Sequence, residues 1–175
     1  MTIGRKTARL PLHNYFGHNI YSITIVCAGR NAHLAEPADA RRLVAILIES
    51  AARHRFKLHA YCAMPDHFHI LAEGAFLTSD LREFVRVVKQ RSAFEFRKAH
   101  GCALWEMSYY DRILRPKESI ETVAAYILQN PVRRGLCSTA AEFPFSGSQT
   151  IAWFAPPQSQ RHGSKDPPLQ RPPVD

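Results

Sequence analysis

A stretch near the middle of the chain, Tyr61-Cys-Ala-Met-Pro-Asp-His-Phe-His-Ile-Leu71, predicts a β-hairpin. Its Met-Pro-Asp segment is typical of a turn, and the residues on either side predict strands over 56–63 and 67–73. Because side chains alternate between the two faces of a strand, His67 and His69 share one face and Phe68 points to the other. We therefore expect Phe68 in a core and both imidazoles on the open side of a sheet.

The segments before and after this hairpin predict alternating strands and helices. A β-branched run over 20–26 predicts the first strand, and a helical apolar pattern runs from Pro37 to about Arg55. Ser79 or Asp80 can cap a long helix that ends near Gly101. The predicted inner stripe of that helix is Leu81, Phe84, Val85, Val88, Ser92, Phe96 and Ala99.

The remaining segments complete the fold prediction. Residues 109–114 predict a fourth strand, and Ser119 can cap a last helix that runs to Asn130 and is stopped by Pro131. The order βαββαβ followed by α predicts an α+β fold, a ferredoxin-like sandwich with an antiparallel sheet and helices on one face. Its other face is expected to be free or covered only by the last helix, which bears Tyr126.

Composition and charge restrict the class of protein. The chain has 175 residues, 46% of them hydrophobic and 22% charged, which excludes wholesale disorder. We predict one domain over 1–154 and a Pro-rich flexible tail over 155–175. The formal net charge of +8 favours nucleic acid or an anionic membrane surface as a partner. Neither a membrane-spanning run nor a Cys-x-x-Cys pair occurs, so we expect a reduced, cytosolic protein.

The paired histidines allow two interpretations. Two neutral imidazoles a few ångströms apart can bind a divalent metal, and a zinc site could recruit Cys62 or His59 from the neighbouring strand. The plainer interpretation is two solvated surface histidines. The sequence pattern alone does not choose between them.

Tyr126 also allows two interpretations. Tyr126 and Asn130 are four residues apart on the predicted last helix and so share a face. Tyr126 is either a core-edge tyrosine or a nucleophile. Phenols are weak nucleophiles at neutral pH because their pKa is about 10, so a nucleophile would need a nearby metal that polarises its target.

Basic residues are concentrated in three segments of the chain. We predict that they contact the nucleic-acid backbone, with a solvated helix face as the alternative for the long helix. The predicted DNA-binding residues are Arg82, Arg86, Lys89, Arg91, Arg112, Arg115, Arg133 and Arg134. Trp105, Tyr109 and Tyr110 lie among them in the sequence, and this combination suits single-stranded or hairpin nucleic acid.

Several motifs together resemble a known family. The chain resembles the single-tyrosine HUH transposases, specifically the branch of REP-associated tyrosine transposases, over about residues 9–137. The matching motifs are Leu10-Pro-Leu-His-Asn-Tyr-Phe-Gly17, Tyr21-Ser-Ile-Thr-Ile-Val-Cys27, the hairpin stretch quoted above, Lys89-Gln-Arg91, Leu104-Trp105, Tyr109-Tyr-Asp-Arg-Ile-Leu-Arg115 and Tyr126-Ile-Leu-Gln-Asn-Pro-Val-Arg-Arg-Gly-Leu136.

The resemblance implies a set of residue roles. His67, His69 and Asn130 become ligands of Mg²⁺ or Mn²⁺, and Tyr126 becomes the nucleophile. Related insertion-sequence transposases usually carry Gln four residues after the tyrosine. In this chain that position is Asn130 and the Gln comes one residue earlier, so Gln129 is kept as a weaker rival ligand.

The resemblance also implies a reaction and a substrate. The expected reaction is metal-dependent cleavage and strand transfer of single-stranded DNA through a 5′-phosphotyrosine. The expected substrate is hairpin DNA of the repetitive extragenic palindrome (REP) type, and the expected protein is a monomer, with a dimer as the alternative, in the cytoplasm and associated with the nucleoid.

Two other functions remain open at this point. A catalytically silent protein that binds single-stranded or hairpin nucleic acid would keep the basic surface without needing Tyr126. A zinc-dependent hydrolase would use His67, His69 and Cys62 and would form no phosphotyrosine.

Overall fold

The computed structural model describes residues 11–151 of the chain. Five strands and four α-helices alternate along it, with short 3-10 turns between them. In chain order these elements are β1 (Ile20–Val26), α1 (Pro37–His54), β2 (Phe56–Met64), β3 (His67–Gly74), α2 (Leu81–His100), β4 (Tyr110–Ile113), α3 (Ile120–Leu128), α4 (Asn130–Arg133) and β5 (Ser146–Gly147).

The strands form one antiparallel sheet in the order β4-β1-β3-β2-β5. The central strand is β3, which pairs with β1 on one side and with β2 on the other. The register places Thr24 of β1 and Cys62 of β2 on either side of His69. Directly opposed residues share a face of the sheet, so these three side chains form one row across the middle of the molecule.

The main core lies on the face of the sheet covered by α1 and α2. Phe68 and Ile70 of β3 are fully buried and pack with Leu43 of α1 and Phe84 of α2. Phe84 also stacks on Phe56 at a ring centroid separation of 4.6 Å. Burying each such side chain contributes about 1.5–3 kcal/mol, so this layer holds the sheet against the two long helices.

The opposite face of the sheet is covered in part by α3. Ala124 and Ile127 of α3 pack on Cys62 and Met64 of β2 and on Leu71 of β3. The predicted α+β arrangement, with two helices on one face and the tyrosine-bearing helix on the other, is confirmed. Since Leu71 follows His69 by two residues, the histidines lie on the α3 face.

The caps of α2 and α3 follow from local chemistry. Asp80 caps α2, because its Oδ1 accepts hydrogen bonds from the N–H groups of Arg82 and Glu83. Ser119 caps α3 through the N–H of Thr122, as predicted.

Three details of the sequence prediction were wrong. The last helix does not run to Asn130; it ends at Leu128, and a second short helix begins at Asn130. Pro131 does not end the last helix. It lies in the first turn of α4, where the N–H that proline lacks would have no partner within the helix. Ala99 is exposed and is not part of the inner stripe of α2. The two-residue strand β5 was not predicted.

Two predictions concern residues outside 11–151. The predicted tail over 155–175 lies outside the described residues, as do the first ten and the last residues of the predicted domain.

Within residues 11–151, no helix combines the length and apolar character needed to cross a membrane.

Candidate active site

The two histidines of β3 meet through their ring nitrogens. The Nε2 atoms of His67 and His69 lie 3.0 Å apart, and the rings are almost perpendicular at a centroid separation of 4.6 Å. Zinc–imidazole bonds are about 2.0–2.1 Å long, so two nitrogens this close can both reach one ion. The geometry therefore suits a shared metal better than two separately solvated side chains.

The other nitrogen of each ring is held by a neighbour. His67 Nδ1 lies 2.6 Å from Asp66 Oδ1, and His69 Nδ1 lies 3.0 Å from Thr24 Oγ1. If each Nδ1 carries the proton and donates it to these oxygens, each Nε2 presents a lone pair. A carboxylate behind a histidine is a common way to fix that tautomer in metal sites.

Burial and charge keep this pair ready to accept a cation. Burial first, and then nearby positive charge including that of Arg133, lower the pKa of His69 to about 4, so its ring is neutral at pH 7. Burial opposes ionisation of Asp66, but the hydrogen bond with His67 outweighs it and lowers the Asp66 pKa. The site thus combines a neutral imidazole with a nearby carboxylate.

The break between α3 and α4 places Tyr126 and Asn130 beside one arginine. Arg133 Nη2 donates to the main-chain oxygen of Tyr126 at 2.9 Å and to Asn130 Oδ1 at 2.8 Å. Its guanidinium also lies 4.1 Å from the centroid of the Tyr126 ring. Arg133 thus connects the predicted nucleophile with the predicted third ligand, and the sequence alone gave it only a DNA-contacting role.

The two candidate amide ligands differ in burial. Asn130 is buried, and its Nδ2 has no hydrogen-bond partner among the described residues. Gln129 is exposed. Tyr126 is 61% exposed, so a strand of DNA can approach its hydroxyl. Asn130 is buried on α4, which contacts β2, so Asn130 is the stronger candidate ligand and Gln129 the weaker one.

The zinc interpretation receives no further ligand from the described residues. Cys62 lies opposite His69, and burial raises the pKa of its thiol to about 12, so zinc binding there would have to displace the thiol proton. His59 is engaged with Thr150 at 2.7 Å and with Glu73 at 2.8 Å. Across residues 11–151, no group of three His, Cys, Asp or Glu side chains could hold a metal.

The predicted DNA-binding residues divide between the two faces of the sheet. Four of them lie on α2, which covers the face away from the histidines: Arg82, Arg86, Lys89 and Arg91. Arg86 pairs with Glu83, and Arg91 pairs with Glu49 of α1. The ammonium of Lys89 donates to the carbonyls of residues 106, 107 and 108, which uses its three N–H groups.

The other basic residues lie nearer the histidine face. Arg112 of β4 stands opposite Ser22 of β1, on the same face as Thr24, and pairs with Glu118 at 2.7 Å. Arg115 is exposed just after β4. Arg133 and Arg134 are close enough to His69 for their charges to lower its pKa.

Comparison with known proteins gives the family. The family model described as "Transposase IS200 like" matches residues 16–130, which is more than half of the chain and includes both histidines and Tyr126. The chain belongs to the IS200-like transposase family. The resemblance to REP-associated tyrosine transposases that the sequence motifs predicted is confirmed.

Two relatives show how similar this IS200-like transposase is to known proteins. A protein named as a REP-associated tyrosine transposase from Haemophilus influenzae is 20% identical over 111 residues, which cover 56% of this chain and 62% of that protein. A solved structure of a REP-associated tyrosine transposase bound to a REP hairpin matches with a TM-score of 0.63. It is 20% identical, and the match covers 81% of each chain. At that identity the structural likeness establishes the shared fold.

Sequence reasoning missed two polar neighbours of the histidine pair. Asp66 was interpreted only as a turn residue, although its position directly before His67 was a usable signal. Thr24 is far from His69 in sequence and becomes its neighbour only through the β1–β3 register.

Proposed function

We propose that this IS200-like transposase cleaves and rejoins single-stranded DNA through a covalent 5′-phosphotyrosine on Tyr126. The observation that carries the proposal is the placement of Tyr126 and Asn130, joined by Arg133, on the sheet face where the Nε2 atoms of His67 and His69 converge. The family membership supports the same conclusion.

The donor atoms of this site fit a divalent cation. His67, His69 and Asn130 would hold Mg²⁺ or Mn²⁺ through two imidazole nitrogens and one amide oxygen. Asn130 Oδ1 has a second lone pair besides the one that accepts from Arg133. When bound, the cation supplies Lewis-acid polarisation of a phosphate oxygen.

The chain's own residues perform the exchange of bonds. The Tyr126 hydroxyl oxygen attacks the scissile phosphorus, and a new phosphorus–oxygen bond forms as the bond to the 3′ oxygen breaks. The phenolic proton leaves to solvent, and the departing 3′ oxygen takes up a proton to become a 3′ hydroxyl. Another 3′ hydroxyl can then attack the phosphotyrosine and release Tyr126, so the joining step needs no separate energy source.

Arg133 and Arg134 contribute positive charge where negative charge develops. Both are exposed and both lie near His69. Positive groups fixed beside a phosphate stabilise the charge of its transition state. The guanidinium of Arg133 also packs against the Tyr126 ring, which limits the positions that the nucleophile can adopt.

The substrate is inferred from charge and from the relatives. A net charge of +8 suits a polyanion, and one structural relative is bound to a REP hairpin. We infer that this chain binds hairpin DNA of a similar kind in the cytoplasm. Because α3 packs on the sheet of its own chain, Tyr126 can serve its own site, which supports action as a monomer.

A catalytically silent DNA-binding protein is the second candidate. It is favoured by the hydrogen bond between Arg133 and Asn130 Oδ1, which engages the predicted third ligand. Such a protein would retain hairpin binding and would form no covalent product.

A covalent-adduct assay distinguishes the two candidates. Protein is mixed with labelled hairpin DNA carrying single-stranded flanks, with Mn²⁺ or with EDTA, and is run on a denaturing gel. Transposase activity predicts a metal-dependent shifted band that is absent in Tyr126→Phe and in His67→Ala but present in a control, Tyr61→Phe. DNA binding without any adduct in the wild-type protein would support the silent binder instead.

A further inference from the structure

An exposed tyrosine, Tyr110, lies on the sheet in the same row as His69. Tyr110 of β4 stands opposite Thr24 of β1, and Thr24 stands opposite His69 of β3. Strands are about 4.8 Å apart, so Tyr110 lies about 10 Å from His69 on the same face. The Tyr110 side chain is 49% exposed. Helix α3 packs mainly on β2 and β3, and the cluster beneath it includes Ile20 of β1 and Leu114 but not Tyr110.

A small hollow opens beside the Tyr110 ring. It has a volume of about 150 Å³ and is lined by Val26, Arg30, Glu106, Ser108 and Tyr110. Val26 stands opposite His67 in the sheet register. The hollow therefore lies beside the row that contains His67, and Tyr110 lies in the row that contains His69.

The rim of the hollow is held by hydrogen bonds between main-chain groups and between main-chain and side-chain groups. Gly29 N–H donates to Glu106 Oε1 at 2.8 Å, and Glu106 N–H donates to the oxygen of Val26 at 2.9 Å. Lys89 Nζ donates to the oxygens of Glu106 and Met107 at 2.8 and 2.9 Å. The wall is thus fixed from two sides, and Lys89 has a part in shaping it.

The chemistry of the hollow suits a nucleobase better than a phosphate. Arg30 offers hydrogen-bond donors, Glu106 offers a carboxylate acceptor, and Ser108 offers both. A phosphate would meet the negative charge of Glu106. A base edge carries both donors and acceptors, and its flat surface can stack on the Tyr110 ring.

We propose that Tyr110 and this hollow bind one unpaired base of the substrate strand, a few nucleotides at most from the bond that is cut. Its position relative to that bond rests on the proposed function, since the reaction centre is assigned there. Stacked nucleotides rise about 3.4 Å each along one strand, so the 10 Å to His69 corresponds to about three nucleotides or fewer.

The test compares two oligomers that carry the same charge. Binding of a fluorescein-labelled deoxycytidine oligomer and of an abasic oligomer of equal length is measured by anisotropy in EDTA. Stacking on an aromatic side chain contributes about 1–3 kcal/mol per base, so Tyr110→Ala should weaken deoxycytidine binding about 5- to 150-fold. Abasic binding should stay unchanged, and Tyr110→Phe should retain the preference for bases.

A matched control comes from the other face of the protein. Phe94 of α2 is 67% exposed and lies away from the histidines, so Phe94→Ala should leave both affinities unchanged. An equal loss for both oligomers in Tyr110→Ala, or no loss for either, would overturn the base site. The covalent-adduct assay is independent, because an adduct without base preference at Tyr110 would defeat this inference and leave the transposase proposal intact.

Discussion

Replacing Asp66 with alanine should weaken the metal site without touching a proposed ligand. The Asp66 carboxylate lies 2.6 Å from His67 Nδ1, and the side chains of Asp66 and His67 are 29% and 14% exposed. Without the carboxylate, the proton of the neutral His67 ring can move to Nε2, where it would block the metal-binding lone pair. The predicted consequence is lower affinity for Mn²⁺ in the absence of DNA.

The expected loss of Mn²⁺ affinity follows from the type of hydrogen bond that each substitution removes. Hydrogen bonds to charged groups contribute about 1.5–3 kcal/mol and neutral ones about 0.5–1.5 kcal/mol. Partial exposure of Asp66 screens its charge, so we expect Asp66→Ala to weaken Mn²⁺ binding about 10- to 40-fold. Thr24→Val removes only the neutral partner of His69 and should cost about 2- to 10-fold. Calorimetric titration of the DNA-free protein with Mn²⁺ measures both.

A second Asp–His pair in the same molecule serves as the control. Asp39 Oδ2 lies 2.7 Å from His100 Nε2, with Asp39 on α1 and His100 on α2, away from the metal site. Asp39→Ala should leave Mn²⁺ affinity unchanged. Equal affinities for wild type and Asp66→Ala, or an equal loss in Asp39→Ala, would refute the assignment of Asp66 as a positioning residue for His67.

Three further predictions concern the ligands, the nucleophile and the core. Asn130→Ala should weaken Mn²⁺ binding at least about tenfold, whereas Gln129→Ala should leave it unchanged; the reverse order in calorimetry would make Gln129 the ligand. Arg133→Ala should slow single-turnover adduct formation about 10- to 100-fold because Tyr126 loses its support, and an unchanged rate would remove that role. Phe68→Ala should lower the free energy of unfolding in urea by about 3–5 kcal/mol, and a loss below about 1 kcal/mol would contradict its place in the core.

The fold was predictable because the sequence pattern of each segment indicates its secondary structure. The β-branched run over 20–26 gave the bounds of β1, and strand alternation placed His67 and His69 on one face and Phe68 on the other. The break after Leu128 was not predictable in the same way, since a proline either ends a helix or begins the next one.

The functional site was only partly predictable because several of its contacts depend on the sheet register. Asp66 adjoins His67 in sequence, but Thr24 lies beside His69, and Tyr110 lies in the same row, only through the pairing of β1 with β3 and β4. Charge alone also does not show that the ammonium of Lys89 donates to three main-chain oxygens. Clusters of basic residues in a sequence do not reveal which face of a sheet they occupy.

The central claim is that Tyr126 becomes linked to a 5′ phosphate, and end-labelled DNA tests it most directly. A pool of single-stranded oligonucleotides with a randomised segment, part of it able to form hairpins, is labelled at either the 3′ or the 5′ end and incubated with protein and Mn²⁺. A 5′-phosphotyrosine predicts that the 3′ label stays with the protein through denaturation, that the 5′ label leaves on a shorter strand, and that peptide mass mapping places the nucleotide on Tyr126. Retention of the 5′ label, an adduct that persists in Tyr126→Phe, or no adduct from the whole pool would contradict it.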